Sequence, residues 1–408
     1  MIKNKLFATG AIALSLSMLV AGCGSGSSGQ GSSGSSNGSS GSSKASSGQA
    51  QGVTSTQVTV GAWDPFTGNE AQYGLIGDGA KAYFNFINAK GGVNGRTIKY
   101  ITYDDSYQTD KAVADAHRLV SQDKVFAIVG PNGTAMNIAA KPFLTQVGIP
   151  VLAMGSGSSP MFDPFVKNYF ELWPAYKKEA QLMVKYANTN LHSKRIAIFY
   201  QNDDFGQQGQ GAALAALKAE GVTPVVQVPY QAAQVDFSSA AAQMKAANPD
   251  LVLMFSTPGP TAQMLKAMQQ AGVKAERMVS YVSGDPIEFN LAGSAFNGVI
   301  TTGWMQALDS SAASDFMQEW KKDFPNQQPT LLAEAGWTDA QVFAEGLKRS
   351  GNDLSWSNFE KQMETIQNWN GSLGHNITYT STLHQGEQSL YFMKAENGKL
   401  VKISDYIS

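Results

Sequence analysis

Leu251-Val252-Leu253-Met254-Phe255 is an unbroken apolar run. A strand reads this way when helices cover both faces of a parallel sheet. The pattern around it agrees. An extended run at Arg195–Tyr200 precedes an Ala-rich helical stretch at Gly206–Glu220, and a strand at Val222–Val228 precedes a helix over Phe237–Ala247. After the run come a helix over 260–271 and strands at Met278–Val282 and 298–303. The same rhythm runs earlier in the chain. Strands are expected at Val58–Ala62, Ile98–Tyr103, Val125–Val129 and Pro150–Met154. Between the first two, Ile76, Ala80, Tyr83 and Ile87 mark one face of a helix that stops at Gly91-Gly92. Helices over about 110–123 and 135–147 fill the other gaps. Alternating βα units build right-handed parallel crossovers. Two such series predict two α/β lobes, each Rossmann-like with a parallel-core sheet. From Ala312 the pattern turns helical (312–323, 332–350, 356–367), and short strands return near 389–394 and 400–404, so the chain should re-enter each lobe.

The 408 residues carry 30 Lys+Arg against 32 Asp+Glu, for a formal charge of −2. That balance lacks the basic patch of a nucleic-acid binder. Two lysines, Lys3 and Lys5, precede an apolar stretch from Leu6 to Ala21, which reads as a secretory leader over residues 1–22. It ends in Leu19-Val20-Ala21-Gly22-Cys23, which resembles the lipobox of bacterial lipoproteins, and Cys23 is the only cysteine. The resemblance implies cleavage before Cys23 and its acylation. It also implies a membrane anchor, since acyl chains bind bilayers in proportion to their buried CH₂ groups. Residues 24–52 hold 9 Gly and 13 Ser, a composition that behaves as a flexible coil, so 23–52 is expected to be a tether. The body beyond it contains 30 of the 41 glycines, an ordinary level.

In open α/β sheets, ligands bind beyond the carboxyl ends of the strands. Three turns there are rich in small polar residues: Trp63–Glu70, Gly130–Ala135 and Gly155–Pro160. In the last two, backbone N–H groups, hydroxyls and a helix N-terminus would converge, a neutral way to hold a carboxylate. Tight turns and helix caps use the same residues. The second series offers Asn202–Gly206, Ser256–Gly259 and Ser283–Asp285. Phe205 would pack on a ligand or in a hinge. Asp285 would pair with an ammonium or cap a helix before Pro286. Trp63 would stack on a planar ligand or pack in the core. Catalysis has little support. His117, His192, His375 and His384 lack metal-ligand spacing, and no phosphate-binding loop motif occurs. The adjacent pairs Asp104-Asp105 and Asp203-Asp204 read as solvated or capping residues. No enzymatic activity, cofactor or metal is expected.

Several strings then point to a family. They are Thr67-Gly68-Asn69-Glu70-Ala71-Gln72-Tyr73-Gly74, Ile87-Asn88-Ala89-Lys90-Gly91-Gly92-Val93-Asn94-Gly95-Arg96, Tyr103-Asp104-Asp105, Gly148-Ile149-Pro150, Asp204-Phe205-Gly206 and Asp236-Phe237-Ser238. The body resembles the periplasmic leucine/isoleucine/valine-binding proteins, the type I solute-binding components of ABC importers. The likeness implies two lobes joined by a three-segment hinge: 53–174 with 305–375, and 175–304 with 376–408. It implies a carboxylate held by Thr134, Ser156 and Ser158, and aromatic walls at Tyr73 and Phe205. Thr257 stands where the family has a tyrosine. The family's amine-binding glutamate falls at Val282 or Ser283, with Asp285 nearby. The expected solute is therefore a small carboxylate or amide, with branched-chain amino acids included. The expected protein is a monomeric, non-enzymatic lipoprotein outside the cytoplasm that closes on its solute and delivers it to a permease. The rival readings are a sensory binding module of the same fold and a secreted hydrolase.

Overall fold

The computed structural model describes residues 50–408. The leader, Cys23 and nearly all of the tether lie outside the described residues. The first half of the chain builds a five-stranded sheet from β1 (Gln57–Asp64), β2 (Thr97–Asp104), β3 (Ala127–Val129), β4 (Val151–Leu152) and β5 (Tyr169–Phe170), in the order β2-β1-β3-β4-β5 and parallel throughout. Helices α1 (Gly74–Ala89), α2 (Thr109–Ser121) and α3 (Thr134–Val147) make the crossovers.

The chain then crosses to a second sheet by way of α4 (Tyr176–Thr189). That sheet contains β6 (Ile196–Gln201), β7 (Val226–Tyr230), β8 (Leu251–Phe255), β9 (Glu276–Val279), β10 (Ile300–Gly303), β11 (Tyr391–Glu396) and β12 (Lys399–Lys402). Its order is β12-β11-β10-β9-β8-β6-β7, parallel up to β10 and antiparallel beyond. Helices α5 (Asp204–Ala219), α6 (Ser238–Ala247), α7 (Pro258–Ala271) and the short α8 (Glu288–Leu291) follow its strands. All five residues of β8 are fully buried in the middle of this sheet, as its composition requires. At about 1.5–3 kcal/mol per buried large apolar side chain, the five together contribute on the order of 10 kcal/mol.

After β10 the chain returns to the first half. Helices α9 (Ser314–Asp323), α10 (Leu331–Ser350) and α11 (Trp356–Met363) follow, and α10 lies directly on α1. Trp356 Nε1 donates to the carbonyl of Phe126 beside β3 at 2.8 Å. Two crossing segments pair with one another. Glu171 N donates to the carbonyl of His384 at 2.8 Å, and Gly386 N donates to that of Glu171 at 2.8 Å.

Two strands differ from the expected bounds by three or more residues at one end. The strand expected at Val222–Val228 is Val226–Tyr230. Pro224 has no N–H to donate at its entry, and register with β6 begins at Val226 opposite Ala197. The strand expected to reach Val282 stops at Val279, where Ser280 Oγ accepts from Val282 N and turns the chain into a single 3₁₀ turn. No element is expected over 176–189 from the alternation of the flanking βα units, yet α4 occupies it. Among the described residues, no helix is long and apolar enough to cross a membrane.

Candidate functional site

The loops leaving β1, β3 and β4 face the loops leaving β6, β8 and β9. Between them lies a small cavity. Its first wall is built at the start of α3. Gly133 holds φ at +96°, a left-handed geometry that suits glycine, and sets Thr134 as the first helical residue. Thr134 Oγ1 lies 2.8 Å from Ser156 Oγ and 3.4 Å from Tyr176 Oη. Ser156 Oγ also accepts from Ser158 N at 3.2 Å. The Ser156 hydroxyl is thus tied to another hydroxyl and an amide rather than to an imidazole, so no nucleophile is assembled there.

The second wall is aromatic. Tyr73 and Tyr107 stack with centroids 6.2 Å apart and planes 16° from parallel. Tyr176 packs on Phe205 at 5.1 Å and on Tyr281 at 6.0 Å. Tyr281 Oη donates to the carbonyl of Pro174 at 2.7 Å, and Trp173 Nε1 donates to Asp339 at 3.2 Å. Burial pushes the hydroxyls of Tyr73, Tyr107 and Tyr176 up, so each stays protonated and able to donate.

The two halves also touch directly. Thr257 Oγ1 donates to Glu70 Oε1 at 2.9 Å, and Tyr230 Oη and Gln201 Oε1 each lie 3.2 Å from the same hydroxyl. Burial pushes the Glu70 carboxyl up to about 8, against the pull of the Thr257 bond. Gln208, on α5, accepts from Ser159 N at 2.9 Å and donates to Ser158 Oγ at 2.5 Å. Replacing Gln208 by Ala removes both bonds. At about 0.5–1.5 kcal/mol each, their loss should favour separation of the halves. The radius of gyration of the ligand-free protein by small-angle scattering is expected to rise; an unchanged value would mean that Gln208 does not hold the halves together.

Of the residues expected at the site, Tyr73, Thr134 and Phe205 line the cavity. Ser156 lies behind Thr134 through its hydroxyl bond. Ser158 is buried beside the cavity, with its oxygen occupied by Gln208. Thr257 belongs to the Glu70 contact and is not on the cavity wall. Trp63 as a stacking platform is corrected. Its side chain lies in the core with Leu119 of α2 and Met136 of α3, because strand alternation turns it to that face of β1. Asp285 as an ammonium partner is corrected as well. Its Oδ1 accepts from Ile287 N at 2.7 Å and its Oδ2 from Leu332 N at 2.9 Å, so it anchors the first turn of α10 from across the cleft. Burial still pushes its carboxyl up to about 6. Sequence reasoning missed Tyr107, Asn132, Trp173 and Tyr176, and Val282 lines the wall where an acid was sought. Asn132 sits inside the loop Gly130–Ala135, and Tyr107 follows the carboxyl end of β2. Trp173 and Tyr176 flank the first crossing, which carried no motif.

The family model for periplasmic binding proteins matches residues 57–399, nearly the whole described body. The chain belongs to that periplasmic binding protein family. This binding protein is 23% identical over 369 residues to Leu/Ile/Val-binding protein homolog 7 of Brucella abortus, covering 86% of this chain and 92% of that one. Its fold is similar to a branched-chain amino acid ABC transporter protein of Thermus thermophilus with bound valine. The TM-score is 0.80 and the identity 18%, over 87% of this chain and 97% of that one. It is also similar to an ABC-transporter solute-binding protein of R. palustris in complex with benzoate. There the TM-score is 0.75 and the identity 19%, over 86% and 98% of the two chains. The fold is the type I arrangement of two parallel-core sheets, and the family binds substrates without enzymatic turnover.

Proposed function

We propose that the protein is an extracytoplasmic lipoprotein that captures a small carboxylate-bearing solute between two lobes and hands it to an ABC importer permease. The observation that carries this reading is the cavity enclosed by loops at the carboxyl ends of two sheets, with the Thr134 hydroxyl and a helix N-terminus on its wall. The lobes are 53–174 with 305–375 and 175–304 with 376–408. Three crossings permit hinge closure, which a solute contacting both sides would favour. Relatives seen with valine and with benzoate support a small acid. Cys23, acylated, anchors the body, and the Gly/Ser tract lets it reach a permease.

A thermal-shift screen of the full chain against amino acids, small acids and amides tests the reading. A solute at about 100 times its Kd should stabilise the protein by about 2.7 kcal/mol. Thr134→Ala should weaken the response; unchanged affinity would move the site elsewhere. Uptake of the bound solute should fall when the permease is deleted. Unchanged uptake would sink the importer role and leave a sensory binding module.

A further inference from the structure

The chemistry of the cavity wall narrows the class of solute, an inference that rests on the solute-binding reading. Five rings line the wall: Tyr73, Tyr107, Trp173, Tyr176 and Phe205. Among the described residues, no Asp, Glu, Lys, Arg or His does. Four helices begin at this wall. Tyr73 is the N-cap of α1, Thr134 and Tyr176 are the first residues of α3 and α4, and Phe205 is the second of α5. These helices run 14 to 16 residues; Asp203 and Glu179 offset the N-termini of α5 and α4, but α1 and α3 have no acidic residue in their first turns and keep a partial positive charge there. The potential they create favours an anion and disfavours a cation.

Two polar groups on the same wall lack a partner among the described residues: Tyr73 Oη and Asn132 Nδ2. Both residues are buried, at 3% and 2% exposure, and both atoms are donors. Buried donors in native proteins find acceptors, so both atoms are free to donate to a ligand in the cavity. The nearby acids cannot serve an ammonium. Glu70 accepts from Thr257 and is kept neutral by burial at pH 7. Asp203 caps α5 through Phe205 N and Gly206 N. Glu179 accepts from Ser280, Thr302 and Tyr281 N, and Asp339 accepts from Trp173.

We propose that the solute is a planar aromatic carboxylate without an ammonium group, and that Tyr73 Oη and Asn132 Nδ2 donate hydrogen bonds to it. Titration calorimetry on the full chain with matched pairs tests this: 3-phenylpropanoate against phenylalanine, and benzoate against 4-methylpentanoate and leucine. The aromatic acids should bind at least tenfold more tightly than phenylalanine or leucine. Tyr73→Phe and Asn132→Ala should each weaken them about tenfold without lowering the melting temperature. Phenylalanine or leucine binding more tightly than its des-amino partner would overturn the proposal; so would 4-methylpentanoate outbinding benzoate, or trimethylglycine outbinding both. If amino acids bind and Glu70→Gln abolishes that binding, Glu70 is a counter-charge and the inference fails while the solute-binding reading stands. Absence of heat with every acid and amino acid would overturn both.

Discussion

Gly336→Ala is expected to lower the stability of the protein by about 3 kcal/mol, while Gly211→Ala raises it by about 0.5–1 kcal/mol. The two sites differ only in what a new methyl group meets. Helices α1 and α10 cross with their backbones nearly in contact. A Cβ on Gly336 would lie 1.8 Å from the carbonyl oxygen of Ile76, and one on Gly79 would lie 1.9 Å from that of Ala333. Neither obstacle is a flexible side chain. The helices would have to separate, and the core they seal, with Ile76, Ala80, Ala335 and Phe343, would lose its packing. Gly211 sits on the exposed face of α5 with nothing within 4 Å, so a methyl there only removes backbone freedom from the unfolded chain. Urea denaturation followed by tryptophan fluorescence separates the two. A Gly336→Ala midpoint equal to that of the parent would mean that α10 does not depend on this close approach. The damage should also reach the site, because Tyr73 caps α1 and the first turn of α10 donates to Asp285.

The same residues show what a sequence can and cannot reveal. The run Leu251–Phe255 needs only its own composition to be read as a buried parallel strand, and it is one. The end of α1 is equally local, since Gly91 and Gly92 take positive φ just beyond its last turn. Helix α4 is the contrary case. Tyr176, Ala180, Met183, Val184 and Ala187 have helical spacing, but Glu179 lies fully buried among them. Its burial is satisfied by Ser280, Tyr281 N and Thr302, more than 100 positions away. Asp285 is legible only in part, since its Oδ1 accepts from Ile287 N as a cap before Pro286 would. A local reading sees a cap before Pro286 or a free carboxylate, whereas one of its two oxygens is held by Leu332, 47 residues on. Loops at strand ends announce themselves by small polar residues, which is why Thr134 and Phe205 could be found. Trp173 and Tyr176 could not, because a crossing segment has no turn chemistry of its own. The acid pairs were readable as caps: Asp203 holds the start of α5, and Asp104 Oδ1 accepts from Phe66 N at 3.0 Å and Ser106 N at 2.9 Å.

Affinity for the solute is expected to fall at least about tenfold between pH 6 and pH 8, and Glu70→Gln should flatten that fall. Glu70 leaves the first sheet and meets Thr257 of the second, so separation of the halves would return its carboxyl to water. There it would titrate near the ordinary 4.5; enclosed, it titrates at about 8. Closure therefore takes up a proton at any pH between those values. Below about 4.5 both forms are neutral and closure bears no ionic cost. As pH rises toward 8 the open form gains stability by ionising and the closed form does not, so the cost grows, levelling off only above 8. One unit of such a difference is worth about 1.4 kcal/mol, or tenfold in affinity. The neighbours act in the same direction. Asp203 raises Glu70 further, and the Glu288 carboxyl, itself pushed up by burial and by Asp285 and Glu70, offers no positive charge in return. Thr257, Tyr230 and Tyr73 face Glu70 as hydroxyls that stay neutral across the range. Glutamine keeps an acceptor for Thr257 Oγ1 and removes the titration, so the variant should bind with a shallower pH profile and equal or greater affinity at pH 8. A Glu70→Gln profile parallel to that of the parent would assign the pH dependence to other groups. It would also mean that Glu70 stays enclosed when the solute leaves, and with that the Thr257 contact would cease to be part of the closing surface.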